Sequence, residues 1–229
     1  MNTEQKEKKT DVRVNDILLG PLERPALAFF CRNMPSWVTP DHLTILGVIS
    51  FILIGVSYYL ANFSPWFLWL ASFGLVLHWY GDSLDGSLAR FRKIERPKFG
   101  YYVDHIADAY ATAIICIGIG LSPYVDFSFA MLILVGYLLM SILVYITSNV
   151  TGIFKISYGK FGPTEMRVLV ILVNMYFFWG INPMLNLGLF HIKFLNLGAL
   201  AVAVFLYVLF IIHSLKPLGE IAKLDKPKE

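Results

Sequence analysis

Six long apolar segments constrain the fold of this chain more than any other feature. Hydrophobic residues make up 57% of the 229 positions and charged residues only 15%, whereas a soluble domain usually carries about 25% charged residues. Each segment is close to the ~20 residues that a helix needs to cross a bilayer, the second and third only when their acidic ends are counted. The segments are Leu43–Ala61, Pro65–Tyr80, Tyr101–Leu121, Phe127–Ser148, Thr164–Trp179 and Phe194–His213. We therefore predict an all-α integral membrane protein with six transmembrane helices.

The region before the first apolar segment does not have the pattern of a cleavable signal peptide, because charges and prolines take the place of a basic start and an apolar run. Met1–Asp16 is polar and predicts a loosely held tail. Ile17–Trp37 mixes apolar and charged residues and predicts an amphipathic helix on the membrane surface. A soluble cap packed on the bundle is the alternative. The predicted organisation is a tail with a juxtamembrane helix at 1–37, a six-helix membrane domain at 38–216 and a C-terminal tail at 217–229.

Lysines and arginines are distributed unevenly along the chain. All but one of the 19 lie before the first segment, between the second and third, around the start of the fifth, or in the C-terminal tail, and Lys193 is the exception. An even number of spans places all these regions on one side, which the positive-inside rule identifies as the cytosol. We therefore predict that both termini are cytosolic. The net charge of +3 is too small to indicate nucleic-acid binding.

Four aspartates lie beside apolar segments, where an unpaired charge is costly. Asp82 and Asp85 follow the second segment, and Asp104 and Asp108 begin the third. Helical spacing places the polar and small residues of each segment on one face. These faces carry Asp82, Asp85, Gly86, Ala89 and Arg90 on the first helix, and Gly100, Asp104 and Asp108 on the second. Two acidic stripes can therefore face each other at the predicted cytosolic surface.

Facing carboxylates repel one another and largely neutralise unless a cation is present. Mg²⁺ and Mn²⁺ accept carboxylate oxygens and also suit phosphate ligands, and four aspartates suffice for two ions. Apart from His105, no histidine or cysteine is expected to contribute a ligand, so zinc is not expected. Cys31 and Cys116 lie in different contexts and are expected to be packing residues. The stripes therefore predict a site for two divalent cations, Mg²⁺ or Mn²⁺.

The small residues on the first stripe indicate what such a site could bind. Gly86 and Ala89 leave room for a ligand to approach the helix backbone, and Arg90 could hold a phosphate with two hydrogen bonds. Together with the aspartates they favour a site for metal-bound pyrophosphate. The alternative is a set of interhelical salt bridges in which Arg90 and the basic loop satisfy the acids, but this leaves excess acid unpaired.

The pattern Asp82-x2-Asp85-Gly86-x2-Ala89-Arg90, then nine residues, then Gly100-x3-Asp104-x3-Asp108, resembles the signature of the CDP-alcohol phosphotransferases. That family transfers a phosphoalcohol or phosphatidyl group from a CDP-linked donor to an alcohol and releases CMP. The resemblance implies that Asp82, Asp85 and Asp104 bind the metals. It implies that Asp108 completes the second metal site and is also the general base. It further implies that the chain is a homodimer and that the CDP pocket is shaped by Gly86, Ala89, Arg90 and Gly100.

The segment Thr39–Thr44 adds to this resemblance. It is similar to a Pro-Asn-x-x-Thr segment that many members carry before the first span, although Asp41 replaces the asparagine. The resemblance places this segment near the nucleotide.

The resemblance leaves two substrate directions open. We favour a phosphatidyltransferase that uses CDP-diacylglycerol and a small polar alcohol, because a short six-span chain is typical of the compact microbial enzymes. The alternative is an aminoalcohol phosphotransferase that uses CDP-choline or CDP-ethanolamine and diacylglycerol. The Asp104-His105 pair resembles that group, and so does Thr151-Gly152 followed by Thr164-Glu165.

Several further residues are candidates for contacts with the acceptor or headgroup. These are His105, Lys155, Lys160 and Arg167. The positive-inside pattern explains the three cations equally well, and a polar interfacial histidine explains His105. Glu165 is expected either to pair with Arg167 or to face the site.

Other classes of membrane protein fit less well. A cation transporter would carry its aspartates near the bilayer midplane on broken helices, whereas these lie at one predicted end. A prenyltransferase that binds Mg²⁺-diphosphate would need more spans and different acidic motifs. A structural scaffold has no use for the stripes.

Overall fold

The computed structural model describes residues 18–151, 162–180, 182–187 and 190–224, and most of these are helical. The elements are α1 (Gly20–Asn33), α2 (Pro40–Leu60), α3 (Phe67–Arg92), α4 (Pro97–Gly120), α5 (Phe127–Thr151), α6 (Pro163–Phe178), β1 (Met184–Leu187), β2 (Phe190–Lys193), α7 (Phe194–Leu215) and α8 (Leu218–Leu224). The predicted all-α class is confirmed with one addition. The strands β1 and β2 form an antiparallel hairpin in which Met184 lies opposite Lys193, and the sequence did not predict it.

Four of the helices are long and apolar enough to cross a membrane. They are α2, α4, α7 and the Phe127–Val150 part of α5. Helix α3 is 26 residues long but runs from its apolar half into Asp82 and Asp85. Helix α6 has only 16 residues, fewer than the ~20 that a span needs. These four candidate spans agree with an integral membrane protein, and six spans remain a prediction that depends on α3 and α6.

Helix α2 is the centre of the bundle, since it packs extensively against both α3 and α4. Glycines bring the backbones into direct contact at both interfaces. A Cβ atom on Gly81 would lie 2.6 Å from the carbonyl oxygen of Leu43 and 2.7 Å from the backbone nitrogen of Gly47. A Cβ atom on Gly118 would lie 2.5 Å from the carbonyl oxygen of Gly55. Small residues at these points are typical of closely packed membrane helices.

A buried polar network joins α2, α3 and α6. The Tyr58 hydroxyl donates to Asn174 Oδ1 at 2.9 Å, and Asn174 Nδ2 donates to Ser72 Oγ at 3.1 Å. All three side chains are buried, and apolar residues such as Ile54 and Phe177 lie around them. Because an unpaired polar group is costly in such a core, these bonds hold the three helices in one register.

The flank formed by α5 and α7 is fixed at the opposite end from the aspartates. Lys193 Nζ donates to Asp126 Oδ1 at 2.8 Å, and Asn196 Nδ2 donates to Asp126 Oδ2 at 2.7 Å. The hydrogen bond from Lys193 keeps the pKa of Asp126 below its usual value. The hairpin, the α4–α5 loop and the start of α7 are therefore held together by one carboxylate.

Helix α1 lies within the predicted juxtamembrane segment and packs on α3. Glu23 Oε1 accepts hydrogen bonds from Trp79 Nε1 at 2.9 Å, Ser83 Oγ at 3.3 Å and Thr164 Oγ1 at 3.0 Å. Cys31 is buried on the same face and is free, as is the buried Cys116. The inner face of α1 thus covers the bundle, and its position on a membrane surface remains a prediction.

Candidate functional site

The four aspartates converge at one end of the bundle, which we call the acidic end. Only residues 93–96 separate α3 from α4, so the two helices run antiparallel and the end of one lies beside the start of the other. Asp82, Asp85 and Asp104 line one cavity, with Thr44 and Gly47 of α2 as its floor. The predicted stripes therefore face each other across α2, on which both helices pack. The cavity measures about 10 Å³, roughly the room that one water molecule needs.

Asp82 has a cationic partner from a third helix. Arg167 of α6 donates from Nη2 to Asp82 Oδ2 at 2.5 Å, and its side chain is only 12% exposed. Arg167 was a candidate for contacts with the acceptor, but in this structure it neutralises a member of the acidic stripe. Such a charge-assisted bond is stronger than a neutral one. Any ligand that takes this oxygen of Asp82 must compete with the guanidinium.

Asp85 is held by a hydroxyl from α2. Thr44 Oγ1 donates to Asp85 Oδ2 at 2.7 Å, and the backbone N–H of Gly86 donates to Asp85 Oδ1 at 2.5 Å. Thr44 is the last residue of the Thr39–Thr44 segment, which lies at the start of α2. Thr39 caps that helix by accepting from the backbone N–H of His42 at 3.3 Å. The segment therefore contributes to the acidic cavity through Thr44.

Asp104 and Asp108 lie one turn apart on α4. Asp104 lines the cavity and is 41% exposed. Asp108 is half-buried behind it and interacts electrostatically with Asp82, Asp104 and Arg167. The carboxylate that the resemblance assigns as the general base thus lies beside the cavity rather than in its wall.

The residues that the resemblance assigns to a CDP pocket do not line this cavity. They lie within two turns of its aspartates along α3 and α4. A Cβ atom on Gly86 would lie 3.3 Å from Arg90 Nη1, so the absence of a side chain gives the guanidinium its place. Arg90 Nη2 donates to Ser87 Oγ at 3.3 Å. Ala89 is half-buried, and Gly100 has open space around it.

The basic loop consists of the lysines and arginines that follow Arg90, namely Arg92, Lys93, Arg96 and Lys98. Its two arginines contact the α1–α2 linker and the start of α2 rather than the acidic cavity. Arg92 donates to backbone carbonyl oxygens of the α1–α2 linker, including that of Pro35 at 2.8 Å. Arg96 forms an ion pair with Asp41 at the start of α2. The salt-bridge alternative therefore finds its clearest support at Asp82, through Arg167 rather than through Arg90 or this loop.

The remaining candidates are dispersed. Lys155 and Lys160 lie outside the described residues. His105 lies in a second cavity between α4 and α5. Glu165 neither pairs with Arg167 nor faces the site, because its carboxylate accepts from the backbone N–H groups of Leu19 at 2.7 Å and Gly162 at 2.9 Å.

The donor chemistry of the acidic cavity fits a hard divalent cation, because three aspartates, Asp82, Asp85 and Asp104, line it. Within the described ranges, however, no three such side chains are already gathered as the ligands of an ion. The Asp82–Arg167 and Asp85–Thr44 bonds occupy oxygens that an ion would use. The site is thus suited in composition, with its carboxylates engaged by protein donors.

Comparison with known proteins identifies similar sequences and a similar fold. A family model described as CDP-alcohol phosphatidyltransferase matches residues 37–209. Cholinephosphotransferase 1 of Danio rerio is 25% identical over 63% of this chain and 39% of its own length. Archaetidylinositol phosphate synthase of Pyrococcus horikoshii is 34% identical over 45% of this chain and 52% of its own length. The chain thus spans about half or less of the length of these relatives.

A solved structure has the same overall fold. The crystal structure of Mycobacterium tuberculosis phosphatidylinositol phosphate synthase with CDP-DAG bound gives a TM-score of 0.60. The match covers 91% of this chain and 100% of that one at 17% identity. At this identity the likeness shows the arrangement of the helices and does not extend to individual side chains.

Proposed function

This chain belongs to the CDP-alcohol phosphatidyltransferase family, and from that premise we propose that it transfers a substituted phosphate group from a CDP-linked donor to an alcohol. The observation that supports this most directly is the meeting of Asp82, Asp85 and Asp104 in one cavity at the end of two helices. Carboxylates from two helices would hold two ions, Mg²⁺ or Mn²⁺. When bound, such ions offset the charge of a pyrophosphate and improve CMP as a leaving group.

The reaction is an in-line displacement. The acceptor oxygen forms a bond to the phosphorus that carries the donor's substituent, and the bond from that phosphorus to the bridging oxygen of CMP breaks. CMP leaves with the bridging oxygen, and the acceptor hydroxyl loses its proton.

Asp108 is the proposed general base for that proton. It lies beside the cavity, next to Asp104 on the same helix face, and it interacts electrostatically with the Asp82–Arg167 pair. Arg90 is exposed, one turn beyond Gly86 on α3, and in this proposal it offsets charge on a donor phosphate. Gly86, Ala89 and Gly100 leave room for the nucleotide to approach.

CDP-diacylglycerol is the donor that we favour, with a small polar alcohol as acceptor. The solved protein of the same fold contains CDP-DAG, and this chain exposes many large apolar side chains on its outer faces, as a lipid-embedded protein does. The alternative is aminoalcohol transfer to diacylglycerol, which the similarity to a cholinephosphotransferase favours.

The proposed orientation of the protein in the membrane rests on the distribution of its lysines and arginines. We propose that the acidic end faces the cytosol, together with both termini, and that residues 38–216 form a six-helix membrane domain that acts as a homodimer. A water-soluble nucleotide and a lipid tail can meet only at such a boundary.

The direct test is CMP release by the purified protein in lipid vesicles. CDP-diacylglycerol is supplied with a panel of alcohols, and in parallel CDP-choline and CDP-ethanolamine are supplied with diacylglycerol. We expect CMP in at least one combination, at a rate that depends on both substrates. Absence of CMP from every combination in a correctly folded preparation would refute the proposed activity.

A further inference from the structure

A second and larger cavity lies beside the acidic one, between the acidic ends of α4 and α5. Its volume is about 420 Å³, in the range of small-molecule sites. The side chains around it are mainly Tyr101, Tyr102, His105, Tyr145, Ser148 and Asn149. We call this cavity the aromatic pocket; the displacement chemistry described above does not use it.

Ring faces from two helices form its walls. Tyr101 and His105 stack with their centroids 4.1 Å apart and an interplanar angle of 29°. The Tyr145 ring, from α5, lies 5.1 Å from that of His105. His105 Nδ1 lies 2.8 Å from the carbonyl oxygen of Tyr101, and because a carbonyl only accepts, this nitrogen carries a hydrogen. The imidazole is therefore held in place against Tyr101.

The charges around the aromatic pocket favour a cationic ligand. Tyr101, Asp104, His105 and Asp108 follow one another at i, i+3, i+4 and i+7 on α4, so the rings adjoin the acidic stripe. Tyr145 interacts electrostatically with Asp104 and Asp108. Among the described residues that line the pocket there is no lysine or arginine. Aromatic faces attract cations, and carboxylate charge that bound metal does not neutralise adds to that attraction.

We propose that the aromatic pocket binds the ammonium headgroup of an aminoalcohol. The oxygen of this aminoalcohol either attacks the phosphorus of CDP-diacylglycerol or is already bonded to the transferred phosphorus of a CDP-linked donor. This inference rests on the proposed function for the identity of the reaction. The headgroup has two possible sources, the free aminoalcohol as acceptor from CDP-diacylglycerol or a CDP-linked aminoalcohol as donor. Both present the same quaternary or primary ammonium to the rings.

Equilibrium binding of radiolabelled choline and radiolabelled CDP-choline to the purified protein tests the proposal without requiring turnover. Tetramethylammonium should displace the label, and the uncharged carbon isostere of choline should not. Replacing Tyr145 by leucine should weaken binding by about 3- to 30-fold, since one desolvated cation–π contact contributes on that scale. Tyr145→Phe, which keeps the ring, should bind nearly as wild type, and so should Tyr59→Leu at the far end of α2.

The binding results separate this proposal from the proposed function. Displacement by the uncharged isostere, unchanged binding in Tyr145→Leu, or no binding of either label would overturn the ammonium site. Should Tyr145→Leu fail to fold, binding to Tyr101→Leu and the isostere comparison on the wild-type protein test the ammonium site instead. CMP release with glycerol phosphate but no ammonium binding would support the proposed function and refute the ammonium site. Ammonium binding without CMP release from any substrate pair would support the ammonium site and refute the proposed function.

Discussion

Replacing Gly81 by alanine should damage both the stability of the bundle and its activity. Gly81 directly precedes Asp82 and lies where α3 touches α2. The added Cβ would lie 2.6 Å from the carbonyl oxygen of Leu43 and 2.7 Å from the nitrogen of Gly47, and real Cβ atoms essentially never come closer than 3.0 Å to such atoms. Because these neighbours are backbone atoms, no side chain can turn away. The two helices must therefore separate by at least about 0.4 Å.

The loss in the free energy of unfolding follows from two opposing effects, overpacking and helix propensity. Overpacking a well-packed interior costs about 1–3 kcal/mol, and alanine returns up to about 1 kcal/mol through its better helix propensity. We expect a net loss of about 1–2 kcal/mol in the free energy of unfolding. The same displacement lengthens the Thr44–Asp85 hydrogen bond from 2.7 Å and shifts Asp82. Since a displacement of about 1 Å can reduce turnover roughly 100-fold, we expect about a 10-fold lower rate of CMP release.

The assay pairs SDS-titrated unfolding, followed by tryptophan fluorescence, with CMP release. Gly198→Ala is the matched control, because nothing lies within 4 Å of its added Cβ; it should be as active as wild type and up to about 1 kcal/mol more stable, since alanine has the better helix propensity. Gly118→Ala makes a similar clash between α2 and α4, but about 15 Å along the helix from Asp108, so it should lose stability with less effect on turnover. Unchanged stability in Gly81→Ala would refute the packing argument, and unchanged turnover would refute the coupling of α2 to the site.

Four other outcomes are expected. Asp108→Asn should lower turnover by about 100- to 10,000-fold while donor binding remains measurable; equal loss of both would contradict the base role. EDTA should abolish CMP release, and added Mg²⁺ or Mn²⁺ should restore it, whereas metal-independent turnover would exclude the two-ion site. Tyr58→Phe should destabilise the protein by about 1–3 kcal/mol, because Asn174 loses a buried donor, and an SDS titration identical to that of wild type would contradict the network. Since the pKa of Asp126 is lowered, its stabilising contribution is present above its unfolded pKa and is lost as the pH falls through its folded pKa. Lys193→Met should reduce this acid-sensitive part in unfolding scans at decreasing pH, with the hydrogen bond from Asn196 retaining the remainder.

Features encoded by local spacing could be predicted from the sequence. The run of apolar residues that begins at Phe127 predicted a helix to Ser148, and α5 extends to Thr151. The spacing of Asp104 and Asp108 placed them on one face because helical periodicity depends only on neighbours within two turns. The same reasoning placed Asp82 and Asp85 together.

Features that depend on contacts between distant segments could not be predicted. Arg167 lies 85 positions after Asp82, and its charge fitted a topology signal or a substrate contact equally well. Thr44 was seen only as part of a segment, since nothing local reveals that its hydroxyl reaches Asp85. The hairpin pairing Met184 with Lys193 lies between the fifth and sixth apolar segments, where no strand was predicted. In each case the packing of helices, rather than local pattern, determines the partner.

The central position of α2 has a consequence for how substrate choice could diversify on this scaffold. Backbone contacts through Gly81 and Gly118 fix α3 and α4 to α2, so the separation of the two acidic stripes changes little when exposed side chains change. Helix α5 makes its contacts with α4 and α7 instead, and it contributes Tyr145 to the aromatic pocket. If the two proposals hold, mutations on α5 can alter which alcohol is accepted while the aspartates proposed to act on the CDP-linked donor stay in place. Relatives that handle different alcohols with one reaction core are the expected result.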